Sequence, residues 1–338
     1  MFIKSLVVGT SILGLAACSG STAPEPSHSV DVAGDAAATA DAGGPTLAPI
    51  PGSQRISFEL EPFDIPAGGE YYKCQDYPNP FGEDIAILQS LSVMTYGSHH
   101  MFVFRLSNDG FFGGTPNLGP GNTKGPLFDC PSGGAEFHPF VHAAQTPVQE
   151  FVYPKGMGQA FKSDETVRLM VHYLNTSTGV LHAKLNVTMD YVGANQVQTL
   201  AASIFLNSLG VTVPPGTSTQ GFSFQLPQAV NLLGASGHMH RRGTHFEATA
   251  VAGDGSKTEL YQTNTWDEPT AAAFSPAMPI ESNTTIHWAC TYTNTGAQTF
   301  VFGQSANSNE MCIFTGTYYP SADGNGLYDN DIAPGTPN

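Results

Sequence analysis

Eleven histidines stand in a chain of which only 12% of residues are charged, a combination that raises the question of metal ligation. Three local patterns carry it. In Gly97-Ser98-His99-His100-Met101 two imidazoles are adjacent. On a regular strand they would point to opposite faces, so both reach one ion only at a strand end or a distortion. In Arg168-Leu169-Met170-Val171-His172-Tyr173 a single histidine interrupts an apolar strand. Such a residue is usually a hydrogen-bonded core histidine, and His172 becomes a ligand candidate only as a third imidazole beside His99 and His100. In Gly237-His238-Met239-His240-Arg241-Arg242-Gly243 two histidines are spaced by two, which places both on one face of a strand and lets them chelate one ion. Met311, in Asn309-Glu310-Met311-Cys312, is the candidate third ligand there. Three imidazoles suit Cu, Zn or Fe, whereas a thioether favours Cu(I) over Zn(II).

The elements that must position these residues alternate at the period of strands. Ser98 to Leu106, Thr166 to Tyr173, Ala183 to Tyr191, Gly221 to Leu226, Thr244 to Ala252 and Thr284 to Asn294 are short, rich in β-branched or aromatic residues, and bounded by Gly, Pro, Asn or Asp. No segment after the first residues offers four helical turns with an apolar stripe. The 37 glycines and 25 prolines suit a fold with many turns. The expectation is an all-β chain of two tandem jelly-roll-like β-sandwich domains, residues 55–194 and 195–322, with a short C-terminal tail at 323–338. The boundary falls where Gly193-Ala194-Asn195 follows a strand and a new apolar run begins.

The N-terminal residues read as an export signal, 1–17: Lys4, then an uncharged and mostly apolar stretch too short to span a bilayer. It runs into Leu15-Ala16-Ala17-Cys18, the form of a lipobox, with Cys18 the lipidated residue. A lipid-anchored protein of the bacterial cell envelope is expected, at the outer membrane where the host has one, because Ser19 rather than an aspartate follows. Residues 18–54 read as a disordered tether, rich in Ala, Gly, Ser, Thr, Pro and Asp. A formal charge of −16 argues against nucleic acid as a partner, since phosphate binding needs a basic surface. Of five cysteines, Cys18 leaves four. In an oxidising compartment these form two disulfides, and of three possible pairings the simplest is Cys74–Cys130 with Cys290–Cys312.

Taken in order, these segments resemble the copper type II, ascorbate-dependent monooxygenases, the family of the peptidylglycine α-hydroxylating and dopamine β-monooxygenases. The likeness runs from about Phe58 to Pro320. It rests on His99-His100-Met101, Tyr153 to Gly158, His172-Tyr173, Pro214-Pro215-Gly216, His238 to Gly243, Cys290 to Gly296, Glu310-Met311-Cys312 and Tyr318-Tyr319-Pro320. The resemblance implies a jelly-roll-like sandwich and one copper in each half. His99, His100 and His172 would bind an electron-transfer copper, and His238, His240 and Met311 the catalytic copper. It also favours the disulfide pairing above. The implied chemistry is hydroxylation of a C–H bond of a small organic substrate by O₂, with two copper ions per chain and ascorbate as reductant.

The likeness thins at the substrate. The peptide-amidating members use an arginine just before the HxH pair, where this chain has Ala235-Ser236-Gly237, and polar residues after the methionine, where it has Cys312-Ile313-Phe314-Thr315. Met170 also stands where the amidating enzyme has a polar residue. Arg241 and Arg242 read as exposed, and His138, His142, His182, His245 and His287 as structural or solvent-facing. The alternative function is a non-catalytic copper-binding lipoprotein for acquisition, which would bind copper without substrate-coupled O₂ consumption.

Overall fold

The computed structural model describes residues 45–107, 115–130, 139–329 and 332. The export signal, Cys18, most of the tether and His138 lie outside the described residues. The first half contributes β1 (Gln54–Ile65), β2 (Glu70–Tyr77), β3 (Ile85–Met94), β4 (Ser98–Leu106), β5 (Phe128–Asp129), β6 (Phe140–Ala144), β7 (Val148–Val152), β8 (Met157–Phe161), β9 (Thr166–Leu174) and β10 (Leu181–Gly193). A 3₁₀ turn at Ala194–Gln196 follows. The second half contributes β11 (Thr199–Leu206), β12 (Thr212–Val213), β13 (Gly216–Gln225), β14 (Val230–Met239), β15 (Gly243–Val251), β16 (Lys257–Thr263), β17 (Ala272–Ile280), β18 (Thr285–Asn294), β19 (Phe300–Val301), β20 (Cys312–Tyr319) and β21 (Leu327–Asp329). The chain is all-β.

Each half is a sandwich. In the first, β1, β10, β3 and β8 face the five-stranded sheet β5-β2-β9-β4-β6. Leu60, Ile87 and Leu185 from one sheet meet Met101, Val103 and Leu169 from the other in a shared core. In the second, β11, β20, β14 and β17 face the four-stranded sheet β13-β18-β15-β16, with Ile204, Leu232 and Phe314 packed on Phe222, Phe246 and Trp288. The halves are joined by one sheet: β8 pairs in parallel with β11, so the order β1-β10-β3-β8-β11-β20-β14-β17 runs through both.

A third apolar layer helps explain why β4 and β9 are buried on both faces. Along β4, Met101 and Val103 point into the first core, while Phe102 and Phe104 point the other way. Along β20, Cys312 and Phe314 enter the second core, while Ile313 does not. The outward side chains pack on one another: Phe104, Phe140 and Met170 from the first sandwich against Phe205, Met311 and Ile313 from the second. A strand covered on both faces reads as a near-continuous apolar run.

The disulfides are Cys74–Cys130, which fastens β2 to the segment after β5, and Cys290–Cys312, which ties β18 to β20 across the second sandwich. Both ends of the fold extend past the expected limits. Residues 45–53, read as the end of the tether, are seated: Leu47 is buried, its carbonyl accepts from Arg55, and the Ile50 N–H donates to Asp190. The Arg55–Asp190 ion pair anchors this stretch, so its composition does not decide its state. The tail is likewise engaged, because β21 pairs in parallel with β11 and Ile332 is buried with its N–H on the Asn207 carbonyl.

Candidate metal centre

The β4–β9 pairing solves the problem of adjacent histidines. His100 lies directly opposite His172, and the register shifts between Ser98 and His100, next to Gly97 at φ 94°. This bulge adds one residue on β4, which re-aims His99 so that both imidazoles look to the same side. Their ring centroids are 5.1 Å apart, and each lies 5.0 Å from His172. In the second half, His238 is the last residue but one of β14, with its ring on the face opposite Met239, which is buried in the second core. His240 follows at the turn closed by the Gly243 N–H on its carbonyl, and the two rings are 5.3 Å apart. Gly237 is required there, because a Cβ would fall 2.4 Å from the Phe246 ring.

The two sets meet. His99 lies 4.7 Å from His238 and 5.5 Å from His240 between ring centroids, and His100 lies 4.9 Å from His238. The donor nitrogens of His99, His100 and His238 come within 4.8 Å of one another, a trio that crosses the halves. The two expected ligand sets, one from each half, thus lie side by side rather than apart. Both ligand-bearing faces are the outward faces of their sandwiches, and those faces are packed together. Met311 is buried in the same interface and lines, with His100 and His238, a cavity of about 170 Å³.

All five rings are buried, and six of their nitrogens have no hydrogen-bond partner among the described residues. These are both nitrogens of His99, Nδ1 of His100 and His172, and Nε2 of His238 and His240. A buried polar atom left unpaired costs about 1–3 kcal/mol, so a set of them facing one space calls for a ligand. Burial, with mutual repulsion added, pushes His99, His100, His238 and His240 well below the ordinary imidazole pKa. Neutral imidazole is the metal-binding form.

The outward nitrogens are held. His172 Nε2 donates to Glu70 at 2.9 Å, and His238 Nδ1 donates to the Gln145 amide oxygen at 2.6 Å. His240 Nδ1 faces the Asn309 carbonyl at 3.4 Å. Fixing one nitrogen leaves the other to bind a metal, the arrangement usual around metal-bound histidines. Glu70 also accepts from Ser305, from the Ala306 N–H at 2.6 Å and from Asn307, all in the second half. Burial alone would raise the Glu70 carboxyl, but the bonds from His172, Ser305 and Ala306 outweigh it and hold its pKa down to about 2. Gln145 reaches across in the same way, its amide on Ser236 and the Gly237 carbonyl. Tyr72 stacks on His172 with centroids 3.7 Å apart and donates to the Gln304 carbonyl, and Trp266 lies edge-on to His99.

None of Glu70, Tyr72, Gln145, Trp266 or Asn309 is signalled by sequence spacing, since each acts across the fold. The arginines after the histidine pair serve the adjoining loop. Arg242 lies over the Phe300 ring and pairs with Glu310 at 3.0 Å, and exposed Arg241 bonds Asn307. Outside the cluster, His142 is buried between Ser90 and Ser92, His182 pairs with Asp64 at the surface, His245 bonds Asn264, and His287 is half-buried.

Solved structures with some likeness include the major capsid protein P2 from bacteriophage PM2, at 10% identity and a TM-score of 0.30, covering 78% of this chain and 97% of that one. Another is a triple jelly-roll protein of an archaeal virus, at 13% identity and a TM-score of 0.21, covering 80% of this chain and 60% of that one. Likenesses this low say nothing of function. No curated protein matches the sequence. Residues 217–328, which carry His238, His240 and Met311, match the family model of the copper type II ascorbate-dependent monooxygenase, C-terminal domain.

Proposed function

We propose that this chain is a copper-dependent monooxygenase that hydroxylates a C–H bond of a small organic substrate. The observation that carries the reading is the set of nitrogens without partners among the described residues on five buried, neutral histidines, with Met311 lining the same cavity as His100 and His238. His99, His100 and His172 would hold one copper and His238, His240 and Met311 the other, as neighbours at one shared face. Imidazole and thioether donors bring no charge, which suits Cu(I). Copper supplies the activation of O₂ and the one-electron steps, while the protein supplies geometry and exclusion of water.

The reaction balances as follows. One C–H bond of the substrate breaks and one C–O bond forms; the second oxygen atom leaves as water. Two electrons and two protons come from one-electron oxidation of two ascorbate molecules. The residues of this chain act on the ligands. Glu70 and Gln145 fix the tautomer and direction of His172 and His238, and Tyr72 holds the plane of the His172 ring. Burial keeps the imidazoles unprotonated through the neutral range. The signal and lipobox support a place on the bacterial cell envelope, with the fold carried on its lipid anchor.

Oxygen uptake under ascorbate, measured with product analysis across candidate substrates, tests this reading. Uptake that rises with substrate and yields a hydroxylated product supports it. Stoichiometric copper with no substrate-coupled uptake would favour the acquisition role instead.

A further inference from the structure

The cavity against His100, His238 and Met311 has a chemical character of its own. On β4 the alternation that aims His100 at the cluster also aims Phe102 and Phe104 into this space. Their rings stack, with centroids 5.0 Å apart, and Phe140 meets Phe102 edge-on at 5.2 Å. Phe205, Met170 and Ile313 continue the apolar wall. Among the described lining residues the only Asp, Glu, Lys or Arg is Glu150, and it is exposed. An ion entering this space would lose its hydration without a counter-charge. A volume of about 170 Å³ suits one ring with a short substituent, since an apolar cavity of about 150 Å³ accepts benzene.

Apart from the histidines, one buried polar group in the wall is left over among the described residues. Gln159 and Ser203 are satisfied by the Phe140 carbonyl and by each other. The Gln304 amide nitrogen is buried and has no partner among the described residues. Its backbone carbonyl accepts from Tyr72, which anchors this residue at the cavity wall. A donor held at the edge of an aromatic pocket asks for one uncharged acceptor oxygen.

We infer that the cavity binds a neutral, single-ring molecule carrying one hydrogen-bond acceptor, such as an aryl ketone, with its alkyl C–H turned to His238 and Met311. This names the substrate class for the proposed monooxygenase and rests on that reading for the chemistry, though not for the binding. It sets this pocket apart from one built for a carboxylate-bearing peptide or a cationic amine.

The test is binding to the full-length chain, with and without Cu(I) and without O₂, so that no turnover occurs. Acetophenone is the probe, with ethylbenzene, benzoylglycine and phenethylamine beside it, read by saturable thermal shift and by calorimetry. Acetophenone should bind one per chain. Ethylbenzene, which lacks the acceptor, should bind more weakly, and the two ions weaker than acetophenone by at least about tenfold. Thr315, half-buried in the cavity wall and paired across the sheet with Ser236, gives the controls, with bound Cu(I) measured on each variant to separate filling of the space from disturbance of His238. Thr315→Trp should abolish binding by filling the space, and Thr315→Val should retain it. No saturable acetophenone binding to the parent chain, equal binding of the ions, or full binding by a folded Thr315→Trp would each overturn the proposal. Copper measured on the same preparations separates the two readings: copper without ring binding defeats only the substrate class, and ring binding without copper defeats the monooxygenase.

Discussion

His142 and the five clustered histidines are alike in burial and opposite in accounting. His142 sits inside the first half with Nδ1 on Ser90 at 2.7 Å and Nε2 on Ser92 at 2.9 Å. Each clustered ring has at least one inward nitrogen that touches no hydrogen-bonding atom. Burial lowers the pKa in both settings. What differs is whether the protein itself completes the imidazole. Where it does, the residue is structural. Where five side chains from two sandwiches leave nitrogens unpaired, the proposed copper would be the missing partner, and neutral imidazole is the form that binds it.

That contrast can be broken by substitution, and the largest effect should fall on copper. His238→Ala removes a ring that stands against both His99 and His100, and its loss of Cu(I) affinity should exceed about 100-fold in a chelator competition. His142→Leu should leave copper affinity unchanged. A structural loss of similar size in both variants would erase the distinction between the two settings.

Stability reverses the order. His142→Leu strands two buried serine hydroxyls and should destabilise the fold by about 3 kcal/mol at neutral pH. His142 carries a folded pKa lowered to about 4 by burial, below the usual 6.5 of an exposed ring. The unfolded chain therefore binds the proton first, and this one ring costs the wild-type fold about 3 kcal/mol of stability as pH falls from 6.5 to 4. The deficit of His142→Leu should accordingly shrink over that window in denaturant titrations. A deficit that stays constant would mean that His142 is not held neutral.

Glu70→Gln sharpens the comparison from outside the cluster. It keeps the shape but weakens the bond that orients His172 and the bonds to the loop 305–307. Copper affinity should fall about 10- to 100-fold, with a changed Cu(II) EPR spectrum that a merely destabilised protein would not show. The smallest effect is the most pointed one. In the metal-free protein His100→Leu should be neutral or stabilising by about 1 kcal/mol, because it removes an unpaired buried nitrogen. A clear destabilisation would mean that the ring is satisfied within the fold.

Much of this was legible in the letters. The alternation of Ser98 to Leu106 and of Thr166 to Tyr173 marks strands, and the spacing of His238 and His240 puts both on one face. The HH pair was readable as a site only if the strand were distorted, and the bulge at His99 supplies that distortion. What escaped reading is whatever depends on the two halves meeting. Glu70 lies 102 residues from His172, and Gln145 lies 93 residues from His238. No periodicity reports such separations. The closeness of the two expected ligand sets has the same origin, because strand alternation shows which face is outward and not what covers it. The seated stretch at 45–53 and the strand at Leu327–Asp329 were hidden for a related reason: single long-range partners, Asp190 and β11, hold segments whose own composition is that of a linker.

The most direct test of the central claim is the copper content of the full-length chain after loading as Cu(I) and removal of loosely held metal. It is measured beside His100→Ala and His238→Ala, with circular dichroism to confirm that each is folded. The account predicts stoichiometric copper in the parent and a loss in both variants, one from each half, because their rings face the same space. No copper retained by the parent in either oxidation state would contradict it, and the unpartnered nitrogens would then need another ligand.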